Sequence, residues 1–415
     1  MTIPTPPSRT TPLVALTGAL AITLAGCSTG SPEAAPTSPP ASTSATPSAT
    51  PTPTPTPTPT CAEATFDAMS EEQRIGQLLM VGFDTVASLT ALDGRIGADH
   101  VGNVIYLGGW DGADKVTRTS EHLQGLVTQK STAGVGLLVA ADQEGGEVHQ
   151  LRGEGFTRPP TASEQAEMSA AALTRAATGW AQQLKAAGVN VNLAPVTDTV
   201  PASIGTANGP IGRYHREYGS DPATVEKASA AFIKGMLDGG VEATVKHFPG
   251  LGRIRNNTDF NSTGITDDTT TADDPYLQPF AAGVEAGAGL VMVGSARYSK
   301  LDPGVPAMFS APIVTDLLRT KLGFDGVVIT DDVNAEAVAS VAPAQRAVRF
   351  LAAGGDIVLT GDASVAPVML DALAAKAAAD DGFAAKVDDS VHRVLALKDR
   401  MGLLPCSGDA GPPQD

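Results

Sequence analysis

The chain has 415 residues and a formal net charge of -17. This acidic balance argues against a nucleic-acid partner and against adhesion of the folded part to anionic lipid. With the first sixty residues set aside, the remaining length suffices for one large domain or two small ones.

The N-terminus has the pattern of a bacterial lipoprotein signal. Arg9 precedes an apolar run of small residues at 13–24, which is typical of a signal-peptide core and too short for a permanent transmembrane helix. The run ends in Leu-Ala-Gly before Cys27, which resembles a lipobox. We therefore expect residues 1–27 to be a signal peptide and Cys27 to be lipidated. The protein would then be extracytoplasmic and attached to the bacterial cell membrane through this lipid alone. Ordinary cleavage at a small-residue site is the alternative.

A stretch rich in Pro, Thr and Ser follows at residues 28–60 and ends in strict Pro-Thr alternation. Such a composition cannot bury apolar surface, and its prolines favour extended polyproline II. We expect a disordered linker that holds a single domain, residues 61–406, away from the membrane. The last residues, 407–415, are expected to form a disordered tail.

Two cysteines lie at the ends of the expected domain. Cys61 and Cys406 could form a disulfide in an oxidising compartment, which requires their Cα atoms to lie within about 7 Å. Two free thiols are the alternative.

From residue 71 onward, apolar segments of strand length alternate with amphipathic helical segments. The eight predicted strands are 77–83, 101–107, 135–141, 189–195, 242–248, 290–293, 327–330 and 357–360. Helices are predicted at 162–187, 222–237, 311–322, 335–353 and 384–401. Strands that are apolar on both faces and separated by helices indicate a parallel sheet, and eight such units predict an α/β fold, a (β/α)8 TIM-type barrel. An open doubly wound sheet is the alternative, although no Gly-x-Gly-x-x-Gly motif follows the first strand.

Charged side chains follow five consecutive predicted strands. They are Asp142 and Arg152 after the third strand, Asp198 and Arg216 after the fourth, Lys246 and His247 at the end of the fifth, Arg297 after the sixth, and Asp331 and Asp332 after the seventh. In a barrel of this type all strands end at one rim, where active sites lie. A single polar side chain at a strand end often only caps the backbone. Carboxylates and cations at five consecutive strand ends instead predict a catalytic pocket. No His, Cys and Asp cluster has metal-ligand spacing, so we expect neither a metal nor another cofactor.

Three stretches of this rim resemble glycoside hydrolase family 3. They are Asp-Gln-Glu-Gly-Gly at 142–146, Lys-His-Phe-Pro-Gly-Leu-Gly at 246–252 and Phe-Asp-Gly-Val-Val-Ile-Thr-Asp-Asp at 324–332. The similarity covers residues 71–404 and is greatest to the single-domain β-N-acetylglucosaminidase, or β-hexosaminidase, branch. It implies a retaining exo-glycosidase that removes β-linked N-acetylglucosamine, or a related sugar, from cell-wall or other glycans. It also implies a carbohydrate substrate and a monomer.

The resemblance implies roles for individual residues. Asp331 matches the family nucleophile, which forms a covalent glycosyl-enzyme. Asp142, Lys246 and His247 match residues that bind sugar hydroxyls. Among the loop arginines that assist them, Arg152 and Arg216 are the nearest matches.

The expected acid/base is where the sequence departs from the family. That branch has Asp-Ser/Thr-His in the loop after the fifth strand, and the aligned triplet here is Asn257-Thr258-Asp259. In one interpretation Asp259 takes over the proton transfer, which a carboxylic acid with a raised pKa can perform. In another, the protein is catalytically impaired and acts as a glycan-binding cell-surface lipoprotein. In a third, only substrates with good leaving groups react.

Trp110, after the second strand, is a candidate platform for stacking a sugar ring. A packed loop residue is the alternative.

Overall fold

The computed structural model of the protein describes residues 59–406. Cys27, the signal peptide, the linker up to residue 58 and the tail at 407–415 lie outside the described residues. The lipid anchor and the localisation that it implies therefore stay predictions. Between residues 59 and 406, no helix combines the length and the apolar character needed to cross a membrane.

Eight parallel strands form the centre of the fold. They are β1 (Leu79–Asp84), β2 (Asn103–Leu107), β3 (Leu138–Ala141), β4 (Val191–Asn192), β5 (Glu242–Phe248), β6 (Leu290–Val293), β7 (Val327–Thr330) and β8 (Val358–Thr360). Strands adjacent in sequence pair from β1 to β7, and β8 pairs with β1. A parallel bridge between Ile329 and Ile357 closes the seam between β7 and β8. The predicted TIM-type barrel is confirmed, and the open doubly wound sheet is excluded.

The strands β5, β6 and β7 have the predicted bounds, whereas β4 keeps only two residues of the predicted 189–195. Pro195 has no N–H to donate to a neighbouring strand, so regular pairing stops before it. The Asn192 side chain instead bonds the backbone of Gln143, accepting its N–H at 3.0 Å and donating to its carbonyl at 3.1 Å. The side chain thereby fixes the chain just beyond β3, where the predicted site begins.

Helices surround the barrel. They are α1 (Cys61–Ala68), α2 (Glu71–Gly76), α3 (Asp93–Gly97), α4 (Ala113–Gly125), α5 (Gln129–Thr132), α6 (Ala162–Ala166), α7 (Ala170–Ala186), α8 (Pro222–Asp238), α9 (Gln278–Glu285), α10 (Pro343–Ala352), α11 (Ala366–Ala379) and α12 (Asp381–Arg400), with a π-helix at Pro312–Lys321. The predicted helix 162–187 is divided into α6 and α7, because Ser169 caps the start of α7 by accepting the N–H of Ala172. The predicted helix 335–353 is shortened to α10, which begins at Pro343.

The last helix lies against the N-terminal ends of the strands. Buried Lys398 of α12 donates to Gln77 Oε1 at 2.6 Å and to the Gly102 carbonyl at 2.9 Å, just before β1 and β2. The chain then reaches Cys406, which forms a disulfide with Cys61 at a Cα separation of 5.8 Å. The strand ends that carry the predicted site lie at the opposite rim.

Candidate active site

A cavity of about 560 Å³ opens at the C-terminal rim of the barrel. This volume lies within the range of small-molecule sites, roughly 300–1,000 Å³. The predicted site residues that line it are Asp142, Arg216, Lys246, His247, Asp259 and Asp331. The structure thus brings together six side chains from four segments that are far apart in sequence.

Buried ion pairs occupy one side of the cavity. Lys246 is 2% exposed, and its Nζ lies 2.5 Å from Asp142 Oδ1 and 2.6 Å from Glu144 Oε1. Arg216 binds Glu144 through both oxygens, at 2.7 and 2.8 Å. The second oxygen of Asp142 makes no hydrogen bond within residues 59–406, so it remains available to accept one from a sugar hydroxyl.

Glu144 is a residue to which the sequence assigned no role. Burial by itself would raise its pKa, but the charges of Arg216 and Lys246 lower the pKa to about 2. Glu144 thus lies between two cations that would otherwise repel each other and binds both. The Asp-Gln-Glu motif was the available signal, but nothing local in the sequence shows that both cations reach Glu144.

Substituting Glu144 with Gln is expected to lower the free energy of unfolding by roughly 3 kcal/mol, because two buried cations lose a shared counter-charge. The folded-state pKa is below the ordinary 4.5, so this stabilisation is present above about pH 4.5 and is lost as the pH falls towards 2. Denaturant unfolding across that window measures both effects. The exposed Glu147, changed to Gln, is the matched control. An unfolding free energy with the same pH dependence in Glu144→Gln as in the unchanged protein contradicts the prediction.

His247 is oriented by Asp198, another residue with no assigned role. Asp198 is fully buried, and its Oδ2 lies 2.7 Å from His247 Nδ1 and accepts the His247 backbone N–H at 3.2 Å. Its Oδ1 accepts the N–H of Leu251 at 2.6 Å. The ring nitrogen Nδ1 therefore donates to a carboxylate. The other ring nitrogen, Nε2, lies 3.4 Å from Arg216 Nη2, and His247 lines the cavity. In this orientation Nε2 can interact with a ligand.

Asp331 lies directly after β7. Its backbone N–H donates to Val293 O at 2.9 Å and continues the pairing of β6 with β7. Burial raises the pKa of Asp331 to about 6; His247 acts in the opposite direction, and the nearby Asp259 raises it. Its Oδ1 accepts the Asp332 backbone N–H at 2.9 Å, and its other oxygen makes no hydrogen bond within the described part of the chain. Asp331 therefore presents a free carboxylate oxygen to the cavity.

The adjacent Asp332 also lines the cavity, but its carboxylate is engaged with the backbone. Its Oδ1 accepts the N–H groups of Asn334, at 2.9 Å, and Gly361, at 3.0 Å. These bonds join the ends of β7 and β8. Of the two neighbouring carboxylates, Asp331 is the better placed to react, and Asp332 holds the backbone.

Asp259 reaches the cavity from the loop after β5. Its N–H donates to Asn257 Oδ1 at 2.8 Å, and its carbonyl accepts the N–H of Glu336 at 3.1 Å. The bond from Glu336 joins this loop to the segment that follows β7 and Asp331. The Asp259 side chain is exposed, and its charge is one of the causes that raise the Asp331 pKa. The carboxylates of Asp259 and Asp331 therefore belong to the same cavity and interact electrostatically.

Two residues proposed from the sequence lie elsewhere. Arg152 is exposed, is not part of the cavity lining, and donates to the Gly109 carbonyl at 3.4 Å. Trp110 is 2% exposed, and its indole N–H donates to Leu107 O at 2.9 Å while its ring packs edge-on against Phe83. The prediction that Trp110 is a sugar platform is wrong. A short strand, Trp110–Asp111, pairs here with Leu151–Arg152, and the indole packs in the core.

Comparison with known proteins shows which family the chain resembles in sequence and in fold. Residues 70–397 match the model of the glycosyl hydrolase family 3 N terminal domain. A β-hexosaminidase of Xylella fastidiosa is 36% identical over 231 residues, which cover 54% of this chain and 66% of that relative. The β-hexosaminidase LpqI of Mycobacterium tuberculosis is 32% identical over 344 residues, 80% of this chain and 83% of the relative. A solved β-N-acetylhexosaminidase from Beutenbergia cavernae has a TM-score of 0.77 and 51% identity, covering 80% of this chain and 98% of that one. The chain therefore belongs to glycosyl hydrolase family 3.

Proposed function

We propose that the protein is a retaining exo-glycosidase that hydrolyses β-linked N-acetylglucosamine from glycans. The observation that carries this proposal is the Asp331 carboxylate, which has a free oxygen and shares one cavity with Asp259 and with the buried ion pairs. The names of the relatives, β-hexosaminidase and β-N-acetylhexosaminidase, support the choice of sugar.

The ion-paired side of the cavity is suited to hold the sugar. Asp142 can accept hydrogen bonds from hydroxyls, and Lys246 and Arg216 can donate to hydroxyl or carbonyl oxygens. Glu144 fixes both cations by 2.6–2.8 Å contacts, so they are already in place when the substrate arrives. This preorganisation reduces the entropy that binding would otherwise lose.

The carboxylates would then carry the reaction in two steps. Ionised Asp331 attacks the anomeric carbon and forms a C–O bond, while the bond to the leaving oxygen breaks and that oxygen takes a proton from Asp259. In the second step Asp259 accepts a proton from water, the water oxygen attacks the anomeric carbon, and Asp331 leaves as a carboxylate. The two displacements together retain the anomeric configuration.

A panel of nitrophenyl β-glycosides tests this function. We expect release of nitrophenol from the N-acetylglucosaminide, slower release from the glucoside, and a first-formed sugar product with retained configuration by NMR. Binding of the N-acetylglucosaminide without any turnover would overturn the proposal and favour the glycan-binding alternative. Turnover with inversion would leave a glycosidase but exclude the covalent Asp331 intermediate.

A further inference from the structure

We propose that Phe260 is a stacking platform for the leaving-group sugar, the pyranose on the far side of the bond that is cleaved. This inference rests on the proposed glycosidase function and adds a second sugar site to it. Phe260 lines the cavity and is nevertheless 74% exposed. Aromatic side chains are common in the lining of small-molecule sites, so the place of this ring in the cavity lining is what points to a ligand contact.

The position of Phe260 differs from that of the other exposed apolar side chains. Within residues 59–406, the large apolar side chains that are exposed are Val86, Leu89, Phe260 and Val368, and among them Phe260 alone lines the cavity. Its ring also makes no aromatic or cation-π contact with another side chain of this range. Both faces of the ring are thus unused by intramolecular stacking.

The ring is carried by an ordered turn. The Phe260 N–H donates to Asn257 O at 3.3 Å, and the Asn261 side chain donates to the same carbonyl at 2.8 Å. At the base of the loop, Arg253 binds Asp274 at 2.7 Å. Together with the bond from Glu336 to this loop, these contacts hold the backbone of the turn that carries Phe260. A turn that is already formed loses little backbone conformational entropy when a sugar stacks on its side chain.

Phe260 would contact the leaving-group sugar and not the cleaved sugar, because of how deep the residues lie in the cavity. Lys246, which would hold the cleaved sugar, and Glu144, which positions Lys246, are buried, whereas Phe260 and Asp259 are exposed at the mouth. Asp259 would protonate the leaving oxygen, so the group attached to that oxygen lies beside Asp259. Phe260 follows Asp259 in the chain and lines the same cavity, so the proposal places its ring against the leaving group. The C–H faces of a pyranose are apolar and match the face of a phenyl ring.

The test compares two substrates whose leaving groups are both alcohols. One is the β-1,4-linked disaccharide of N-acetylglucosamine, and the other is methyl β-N-acetylglucosaminide, whose leaving group has no ring to stack. For Phe260→Ala we expect kcat/KM on the disaccharide to fall about three- to tenfold, mainly through KM, and kcat/KM on the methyl glycoside to stay within about twofold. Phe260→Trp should retain or improve disaccharide turnover, because it keeps an aromatic face.

The matched control is Val86→Ala, which shortens an exposed apolar side chain outside the cavity and should affect neither substrate. An unchanged disaccharide kcat/KM in Phe260→Ala overturns the inference, as does an equal loss on both substrates. If the unchanged protein hydrolyses neither these glycosides nor the nitrophenyl N-acetylglucosaminide, the proposed function itself has failed. Because Phe260 is exposed, the thermal unfolding temperature of Phe260→Ala should match that of the unchanged protein.

Discussion

Replacing Asp331 with Asn is expected to lower kcat/KM on nitrophenyl N-acetylglucosaminide by roughly 10⁴-fold or more, because no other group then forms the covalent intermediate. Asn has nearly the same shape and keeps an oxygen that can accept the Asp332 N–H, so the fold is preserved. Initial rates on the nitrophenyl substrate measure the loss directly. Circular dichroism and thermal unfolding verify that the variant is folded.

The neighbouring Asp332 supplies the matched control. An Asn at this position retains an oxygen for the N–H groups of Asn334 and Gly361, so Asp332→Asn should retain most of the activity. A mechanism-based fluorosugar should add its mass to the peptide that contains Asp331 in the unchanged protein. Activity of Asp331→Asn within tenfold of the unchanged protein, or a label on another residue, would exclude Asp331 as the nucleophile.

Replacing Asp259 with Asn is expected to affect substrates unequally. A sugar leaving group needs a proton as its bond breaks, so kcat/KM on the disaccharide should fall by roughly 10²–10⁴-fold. Nitrophenolate leaves without protonation, and its formation should be affected much less. Parallel kinetics on the two substrates give the result. An equal loss on both would indicate that another group is the acid.

The same variant has two further readouts. Azide is an anion that needs no base to attack the glycosyl-enzyme, so it should restore the second step in Asp259→Asn and yield a glycosyl azide. Since Asp331 must be ionised, kcat/KM of the unchanged protein should decline as the pH falls through about 6. The nitrophenyl substrate needs no proton from Asp259, so its kcat/KM reports the ionisation of Asp331. The negative charge of ionised Asp259 raises the Asp331 pKa, so with this substrate the decline should lie at lower pH in Asp259→Asn.

The structure also gives a physical account of the departure at residues 257–259. In the family pattern that the sequence resembles, the first residue of the triplet is an Asp that orients a His. Here Asn257 uses its side-chain oxygen to accept the N–H of Asp259 itself, at 2.8 Å. The amide thus shapes the turn and adds no negative charge beside Asp259. In the role proposed for Asp259, a carboxylic acid has no tautomer that must be fixed, so a neutral neighbour suffices.

The sequence by itself determined the barrel and the rim on which the site lies. Alternating strand and helix patterns are local, and the segments that became β6 and β7 are apolar on both faces, so their bounds could be predicted. Because parallel strands in a barrel share one rim, the positions of Lys246, His247 and Asp331 at strand ends sufficed to place them together.

The tertiary structure alone decided which of these side chains meet and which way they point. Glu144 contacts Arg216 across 72 residues of sequence, and Asp198 contacts His247 across 49. Such partners leave no periodic signal. Trp110 and Phe260 are both aromatic residues in the connections that follow barrel strands, yet one is buried and the other is exposed at the cavity. Their side-chain directions depend on the pairing and packing of loops, and these are set by the whole fold rather than by the neighbouring residues.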